Sequence, residues 1–163
     1  MDKFTGKVWV LGDDIDTDII IPTEYLALKT IDDMKQYGFS PLRPELAGQI
    51  QKGDIIVAGK NFGCGSSREQ APGVLKALGV KAVIAKSFAR IFFRNSINNG
   101  LLLIEQPDLH DDIKEGDAIT VKMNEHVDYN GKTYPIAALP ENLMDIIQAG
   151  GLVKAMRKRN GLD

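Results

Sequence analysis

Cysteine is nearly absent from this chain of 163 residues, in which Cys64 stands alone. A single thiol excludes an intramolecular disulfide, and it cannot by itself hold an iron–sulfur cluster. Histidine is almost as scarce, with only His110 and His126, both in polar segments that we expect to be exposed. A nucleophile activated by a histidine base therefore has few residues from which it could be built.

The sequence also lacks long apolar runs and a strong net charge. No run approaches the ~20 apolar residues of a membrane helix, and the first residues lack a signal-peptide core. A net charge of −2 gives no general reason to expect a nucleic acid as partner. With 44% hydrophobic and 26% charged residues, the composition is typical of a soluble globular protein. We expect one cytoplasmic domain over residues 1–163, with neither a membrane nor a nucleic acid as partner.

Apolar runs that predict strands alternate with helix-like runs in the first two thirds of the chain. This alternation predicts parallel strands joined by helices. The strands are predicted at residues 7–12, 54–58, 81–85 and 101–104, and the helices at 67–78 and from residue 87 onward. Beyond Pro107 the pattern changes to short strands around an Asn130-Gly131 turn, which predicts an antiparallel sheet. These strands are predicted at 117–123, 127–129 and 132–136, and two helices follow at 143–149 and 152–159.

The most informative stretch, residues 59–69, lies between the second predicted strand and the helix after it. Its three glycines suit a sharp turn whose backbone N–H groups face outward. Ser66 and Ser67 are expected at the helix N-terminus, where a hydroxyl can cap the helix and an anion is favoured. Arg68 adds a planar fork suited to a carboxylate. The local chemistry leaves two interpretations open, a plain helix cap and an anion-binding turn with a reactive serine.

Other known types of site fit this stretch poorly. The neighbours of Ser66 depart from the spacing of a serine-hydrolase elbow. A phosphate-binding loop would need a lysine directly after Gly65, and a dinucleotide-binding turn would need a further glycine. Cys64 has no resolving cysteine, so a small residue in a tight turn is the simpler interpretation. What remains is carboxylate recognition beside a serine with no visible base, and we expect another chain to complete such a site.

A second polar stretch, residues 13–18, has four carboxylates in six positions. The calcium-binding loop pattern needs a glycine at its sixth position, which is Asp18 here. Two interpretations remain open. The stretch is either a polar turn with side-chain-to-backbone hydrogen bonds or a functional loop that orients a nearby hydroxyl or arginine.

Four segments together resemble the small subunits of isopropylmalate dehydratases, and more broadly the swivel domains of aconitase-type hydro-lyases. They are residues 16–20, 21–26, 59–69 and 87–95, and the match is collinear over nearly the whole chain. The resemblance implies an α/β fold, the swivelling β/β/α domain. Its three layers comprise a parallel sheet, a smaller antiparallel sheet and flanking helices.

The resemblance also implies roles for individual residues. Ser66 would be the catalytic base, acting as an alkoxide, and Arg68 would bind a substrate carboxylate and help to keep the serine ionised. Asp18 would be an acidic residue of the active site, and Ser67 and Gly65 would lie beside the substrate. No metal or cofactor is expected on this chain. A separate large subunit would carry a [4Fe-4S] cluster whose iron takes the leaving hydroxyl.

Specificity is expected in the loop that follows Leu26. Family members that act on tricarboxylic substrates have an arginine there, whereas this chain has Ala27 and Leu28, with Lys29 one position further. An apolar pair favours an alkyl group, because a third carboxylate buried against it would lack compensation. The expected substrate is an alkylmalate such as isopropylmalate. The alternatives are 2,3-dimethylmalate, a homoaconitase or citraconate-type activity, and a carboxylate-binding regulatory module without enzymatic activity.

The first prediction tests this loop with Ala27→Arg. A new guanidinium should favour a third carboxylate, so the variant should turn over alkylmalates more slowly relative to tricarboxylic acids. The measurement is the ratio of kcat/KM for the two substrate classes, with the large subunit present. An unchanged ratio would contradict the role given to Ala27.

Overall fold

The computed structural model describes residues 3–161, so the expected domain limits at residues 1 and 163 lie outside it. Seven strands form one continuous sheet in the order β4-β3-β2-β1-β5-β6-β7. The strands are β1 (Lys3–Val10), β2 (Ile55–Ala58), β3 (Ala82–Ala85), β4 (Leu102–Glu105), β5 (Ala118–Lys122), β6 (His126–Tyr129) and β7 (Lys132–Pro135).

One half of the sheet is parallel and consists of β1 to β4. Its register aligns Val8 with Ile55, Ile55 with Ala82, and Ala82 with Leu102. Every residue of β2 and β3 is buried. Strands covered on both faces are typical of parallel sheets, and they explain why these segments appear as continuous apolar runs in the sequence.

The antiparallel half joins the parallel half through β1, which pairs with a strand on each side. Residues 3–7 of β1 pair antiparallel with β5, and residues 8–10 pair parallel with β2. The predicted combination of parallel and antiparallel strands is confirmed. The expectation that β1 begins at residue 7 was wrong, because its first five residues are exposed or half-buried and therefore carry no apolar run.

Eight α-helices surround this sheet in residues 3–161. They are α1 (Thr17–Ile20), α2 (Ile31–Met34), α3 (Leu46–Gln49), α4 (Gln70–Leu78), α5 (Arg90–Asn98), α6 (Leu109–Asp112), α7 (Glu141–Ala149) and α8 (Leu152–Arg159). Short 3₁₀ turns occur at Thr23–Tyr25 and Lys35–Tyr37. Helix α5 begins at Arg90, three residues after the predicted start at residue 87, because Phe62 and Phe88 form a β-bridge before it.

Two hydrophobic cores lie on opposite faces of the parallel half. Alternate residues of β2 face different cores. Ile56 and Ala58 belong to one core, and Ile55 and Val57 belong to the other. The first core is shared with α4, and the second includes residues of β5 to β7, such as Val127. The first core is therefore covered by helices, and the second by the antiparallel half together with residues of α5, α6 and α7.

The carboxyl ends of the parallel strands lie at one edge of the sheet. The loop after β1 (residues 11–16), the turn after β2 (59–69) and the connection after β3 (86–89) all leave from that edge. Open parallel sheets bind ligands at the carboxyl ends of their strands. The fold thus brings together two sequence segments that lie more than forty residues apart.

An ion pair fastens the segment before α3 to the strand that both halves share. Arg43 donates from Nη1 and Nη2 to the two carboxylate oxygens of Glu115, at 2.6 and 3.1 Å. Glu115 Oε1 also accepts the Val10 backbone N–H at 3.1 Å. The Arg43 hydrogen bond lowers the pKa of the Glu115 carboxyl below its ordinary value of 4.5.

The second prediction concerns this pair. Because the folded-state pKa of Glu115 is lowered, its stabilisation is present above pH 4.5 and is lost as the pH falls through the lowered value. Glu115→Gln should reduce the free energy of unfolding by about 1 kcal/mol at pH 7, and by less at pH 3.5. Urea denaturation at both pH values measures the difference. Glu125→Gln, which removes a more exposed partner of Lys122, is the control with little expected effect. Equal losses at both pH values would contradict the prediction.

Candidate functional site

The turn after β2 is built around glycines that no other residue could replace without distortion. Gly63 has a φ of +83°, a left-handed backbone region that side chains disfavour, and a Cβ there would overlap the Phe92 ring. The Gly63 N–H donates to the Ile15 carbonyl at 2.7 Å. Gly65 has a φ of +89° and reverses the chain again before Ser66. The predicted sharp turn is confirmed.

Besides the Gly63 bond to Ile15, three contacts join residues 64–68 of this turn to Thr17 and Asp18 at the start of α1. The Thr17 N–H donates to the Cys64 carbonyl at 3.0 Å. The Thr17 hydroxyl donates to the Ser66 carbonyl at 2.6 Å. Arg68 Nη2 lies 2.8 Å from Asp18 Oδ1 in an ion pair. Residues 16–18 and 64–68 therefore form one unit, although they are far apart in the sequence.

The Arg68 guanidinium is held on one side only. Its side chain is 13% exposed, and Asp18, its partner, also accepts the Thr23 hydroxyl at 3.0 Å. The Arg68 Nε atom is buried and has no hydrogen-bond partner in the described part of the chain. A buried donor without a partner is costly, so this N–H is an unsatisfied group beside the ion pair.

The serines do not cap the following helix, contrary to the sequence prediction. Helix α4 begins at Gln70 and is preceded by Glu69, without a side-chain hydrogen bond at its N-terminus. The reason is that the chain up to Ser66 is tied to Thr17 and cannot yet turn into a helix. Ser66 is exposed, and Ser67 Oγ accepts Asn95 Nδ2 at 3.3 Å. Both hydroxyls are left on the outer side of the turn.

A cavity of about 230 Å³ lies between this turn and the first turn of α5. Arg90 occupies the first position of α5, and no side chain caps this helix. A helix N-terminus carries partial positive charge, and Arg90 adds a full one, so the α5 side of the cavity is electropositive. Its polar lining includes Thr17, Ser67, Arg68, Arg90 and Asn95. A small carboxylic acid suits this arrangement.

The proposed specificity loop does not line this cavity. Ala27 and Lys29 are exposed, and Leu28 is half-buried against the hydrophobic core. The loop follows the 3₁₀ turn at Thr23–Tyr25, whose first residue bonds to Asp18. The role of the three residues stays a prediction.

The side chains of the single cysteine and the two histidines are not among those that line this cavity. Burial, and then the charges of Asp16 and Asp14, raise the pKa of the Cys64 thiol, so it stays protonated at neutral pH. His110 contacts the Leu11 carbonyl at 2.7 Å through Nε2, and His126 lies beside Asp128. Both histidines are half-buried, contrary to the expectation of exposure, because their rings pack at these contacts.

Comparisons with known proteins agree with this geometry. The profile of the family described as "Aconitase C-terminal domain" matches residues 19–109. A 3-isopropylmalate dehydratase small subunit from Lachnospira eligens is 79% identical over 162 residues, covering 99% of both chains. Another, from Archaeoglobus fulgidus, is 51% identical and covers 94% of this chain and 99% of its own.

This chain belongs to the family of 3-isopropylmalate dehydratase small subunits. A crystal structure of 3-isopropylmalate dehydratase from Methanocaldococcus jannaschii superposes with a TM-score of 0.91 at 40% identity. The superposition covers 98% of this chain and 96% of that one. The family resemblance and the α/β swivel fold expected from the sequence are both confirmed.

Several residues of the site were not identified from the sequence. Thr17, Thr23, Arg90 and Asn95 all lie inside segments that carry the family resemblance, so a signal was present. Their roles depend on contacts between segments: Thr17 bonds to the Ser66 carbonyl, and Asn95 bonds to Ser67. Such pairings cannot be read from spacing along one chain.

The third prediction concerns Gly63→Ala. The variant must place a Cβ at a φ of +83° and against Phe92, whereas the control Gly116→Ala has a φ of +93° with no atom within 4 Å. Both variants should lose about 1 kcal/mol from backbone strain, and Gly63→Ala about 2 kcal/mol more from overlap. Urea denaturation measures both. Equal losses would show that Phe92 does not constrain the turn.

Proposed function

We propose that this chain is the small subunit of a 3-isopropylmalate dehydratase, a hydro-lyase of leucine biosynthesis. The enzyme would interconvert 2-isopropylmalate and 3-isopropylmalate by dehydration and rehydration. The observation that carries the proposal is the electropositive cavity where the Ser66–Arg68 turn is fastened to residues 16–18. The chain would act as a single swivel-type domain in the cytoplasm.

Arg68 is proposed to bind a carboxylate of the substrate. Asp18 holds one nitrogen of the guanidinium and thereby fixes its plane, while Nε has no partner among residues 3–161. An arginine oriented in this way binds carboxylates with geometric specificity. Ser67 and Gly65 line the same cavity and would contact the substrate from the turn.

Ser66 is proposed to act as the base. Its side chain is exposed at the turn, next to the cavity that its neighbours Gly65 and Ser67 line, although Ser66 itself and the two histidines are not among the lining residues. Its alkoxide form would be stabilised by the positive charge of Arg68, by the turn amides and by the α5 N-terminus. With this stabilisation the serine would need no histidine to remove its proton. In the dehydration, Ser66 Oγ would take a proton from carbon, and the electron pair left behind would form the double bond. The hydroxide would leave from the adjacent carbon with assistance from groups outside this chain.

The site on this chain is incomplete by the same proposal. A [4Fe-4S] cluster needs several thiolates, and Cys64 is the single cysteine of the sequence. Within residues 3–161 no three histidine, cysteine or acidic side chains are grouped as metal ligands. The residues of this chain therefore do not fit the cluster, and we assign it to a large subunit.

No helix within residues 3–161 is long and apolar enough to cross a membrane.

The fourth prediction is that Ser66→Ala abolishes turnover. The variant removes the proposed base but leaves the Ser66 carbonyl that Thr17 holds, so folding and assembly should persist. Activity should fall by at least about 10³-fold, as is usual for the loss of an essential base. The assay mixes the chain anaerobically with its large subunit and follows 2- and 3-isopropylmalate, 2,3-dimethylmalate, homoaconitate and citraconate.

The matched control is Thr133→Ala, which removes a hydroxyl from exposed β7 and should leave turnover unchanged. Retained activity in Ser66→Ala would remove the base assignment. Preferential turnover of another acid would change the substrate. Binding of the acids to this chain alone, without turnover by the assembled complex, would identify the chain as a regulatory binding module.

A further inference from the structure

Thr17 has an unusual position for a polar residue beside the site. Thr17 is 2% exposed, yet neither its backbone N–H nor its hydroxyl donates a hydrogen bond within its own helix. Its N–H donates to the Cys64 carbonyl at 3.0 Å, and its hydroxyl donates to the Ser66 carbonyl at 2.6 Å. One buried side chain and its own backbone therefore hold two carbonyls on either side of Gly65.

These two contacts fix the direction of the turn's amides. A trans peptide is planar, and its carbonyl and its N–H point in opposite directions. The Ser66 carbonyl faces Thr17, so the Ser67 N–H must face away from it, and the same holds for Cys64 and Gly65. In the described part of the chain, the N–H groups of residues 65–68 donate to no protein acceptor. A run of such free donors is typical of an anion-binding concavity.

The same contacts fix the residue that carries the reaction. The Ser66 carbonyl is anchored at 2.6 Å, so the Cα–Cβ bond that carries its hydroxyl leaves the turn in a fixed direction. Gly65 has no side chain that could hold the turn in place. Its φ of +89° is therefore maintained by contacts from residues outside the turn. Asp16, which caps α1 through the Ile19 N–H at 2.9 Å, holds Thr17 itself in place.

We propose that Thr17 is a positioning residue of the reaction, orienting the Ser66 hydroxyl and the amides of Gly65 and Ser67 through its hydrogen bond to the Ser66 carbonyl. The inference rests on the proposed function of Ser66 as base. It assigns to Thr17 no contact with the substrate. The hydroxyl, and not the volume of the side chain, is the feature that matters.

The experiment compares Thr17→Val with Thr17→Ser in the assembled enzyme. Valine keeps the shape of threonine and removes the donor, whereas serine keeps the donor and removes a methyl group. Thr17→Val should lower kcat by about 10- to 100-fold with a smaller change in KM, because a displaced catalytic group slows the reaction more than it weakens binding. Thr17→Ser should keep kcat close to that of the natural protein, because the hydroxyl that donates to the Ser66 carbonyl is retained.

Three outcomes would overturn the proposal. They are an unchanged kcat in Thr17→Val, equal losses in both variants, and a loss confined to KM. Thermal unfolding and binding to the large subunit are measured for both variants. If Thr17→Val does not fold, Thr17→Ala is used instead. Alanine also lacks the hydroxyl and is smaller than valine, and the same loss of kcat is expected.

The result is separable from the assignment of Ser66. Retained turnover in Ser66→Ala removes the proposed base, and with it the reason for a positioning residue. Loss of turnover in Ser66→Ala together with natural kcat in Thr17→Val removes only the role of Thr17. Amide nitrogen chemical shifts of Gly65 and Ser67 give a second readout without turnover, and they should change in Thr17→Val but not in Thr17→Ser.

Discussion

The structure of the site depends on the contact between two loops that leave neighbouring parallel strands. Thr17 and Asp18, which begin α1 directly after the β1 loop, hold Ser66 and Arg68 from the turn after β2. The β1–β2 pairing brings these loops to one edge of the sheet, and the side-chain contacts fix their relative orientation. A hydrogen bond to a buried threonine and a partly shielded ion pair thus convert two flexible connections into one rigid surface.

The sheet allows this surface to be both rigid and open. Cores on both faces of the parallel half immobilise the strands from which the loops leave. At the carboxyl edge of the same strands, the cavity lies between the turn and the first turn of α5. This arrangement is general for parallel sheets, in which the packed strands provide stability and the carboxyl ends of the strands provide the binding site.

The sequence predicted the fold more completely than the site. Apolar runs of four residues identified β2, β3 and β4, because strands buried on both faces leave a continuous signal. The first residues of β1 were missed, since their pairing with β5 depends on a partner over a hundred residues away. Ser66 and Arg68 were proposed from their motif, whereas Thr17 and Asn95 were not, because their contacts exist only once two segments meet.

The ion pair between Arg68 and Asp18 has a consequence for how this chain meets its ligand. In the chain alone, the guanidinium already has a carboxylate attached, so a carboxylic acid from solution encounters an internal competitor. Binding of such an acid to the isolated chain should therefore yield little free energy, because the acid must displace Asp18 from the guanidinium.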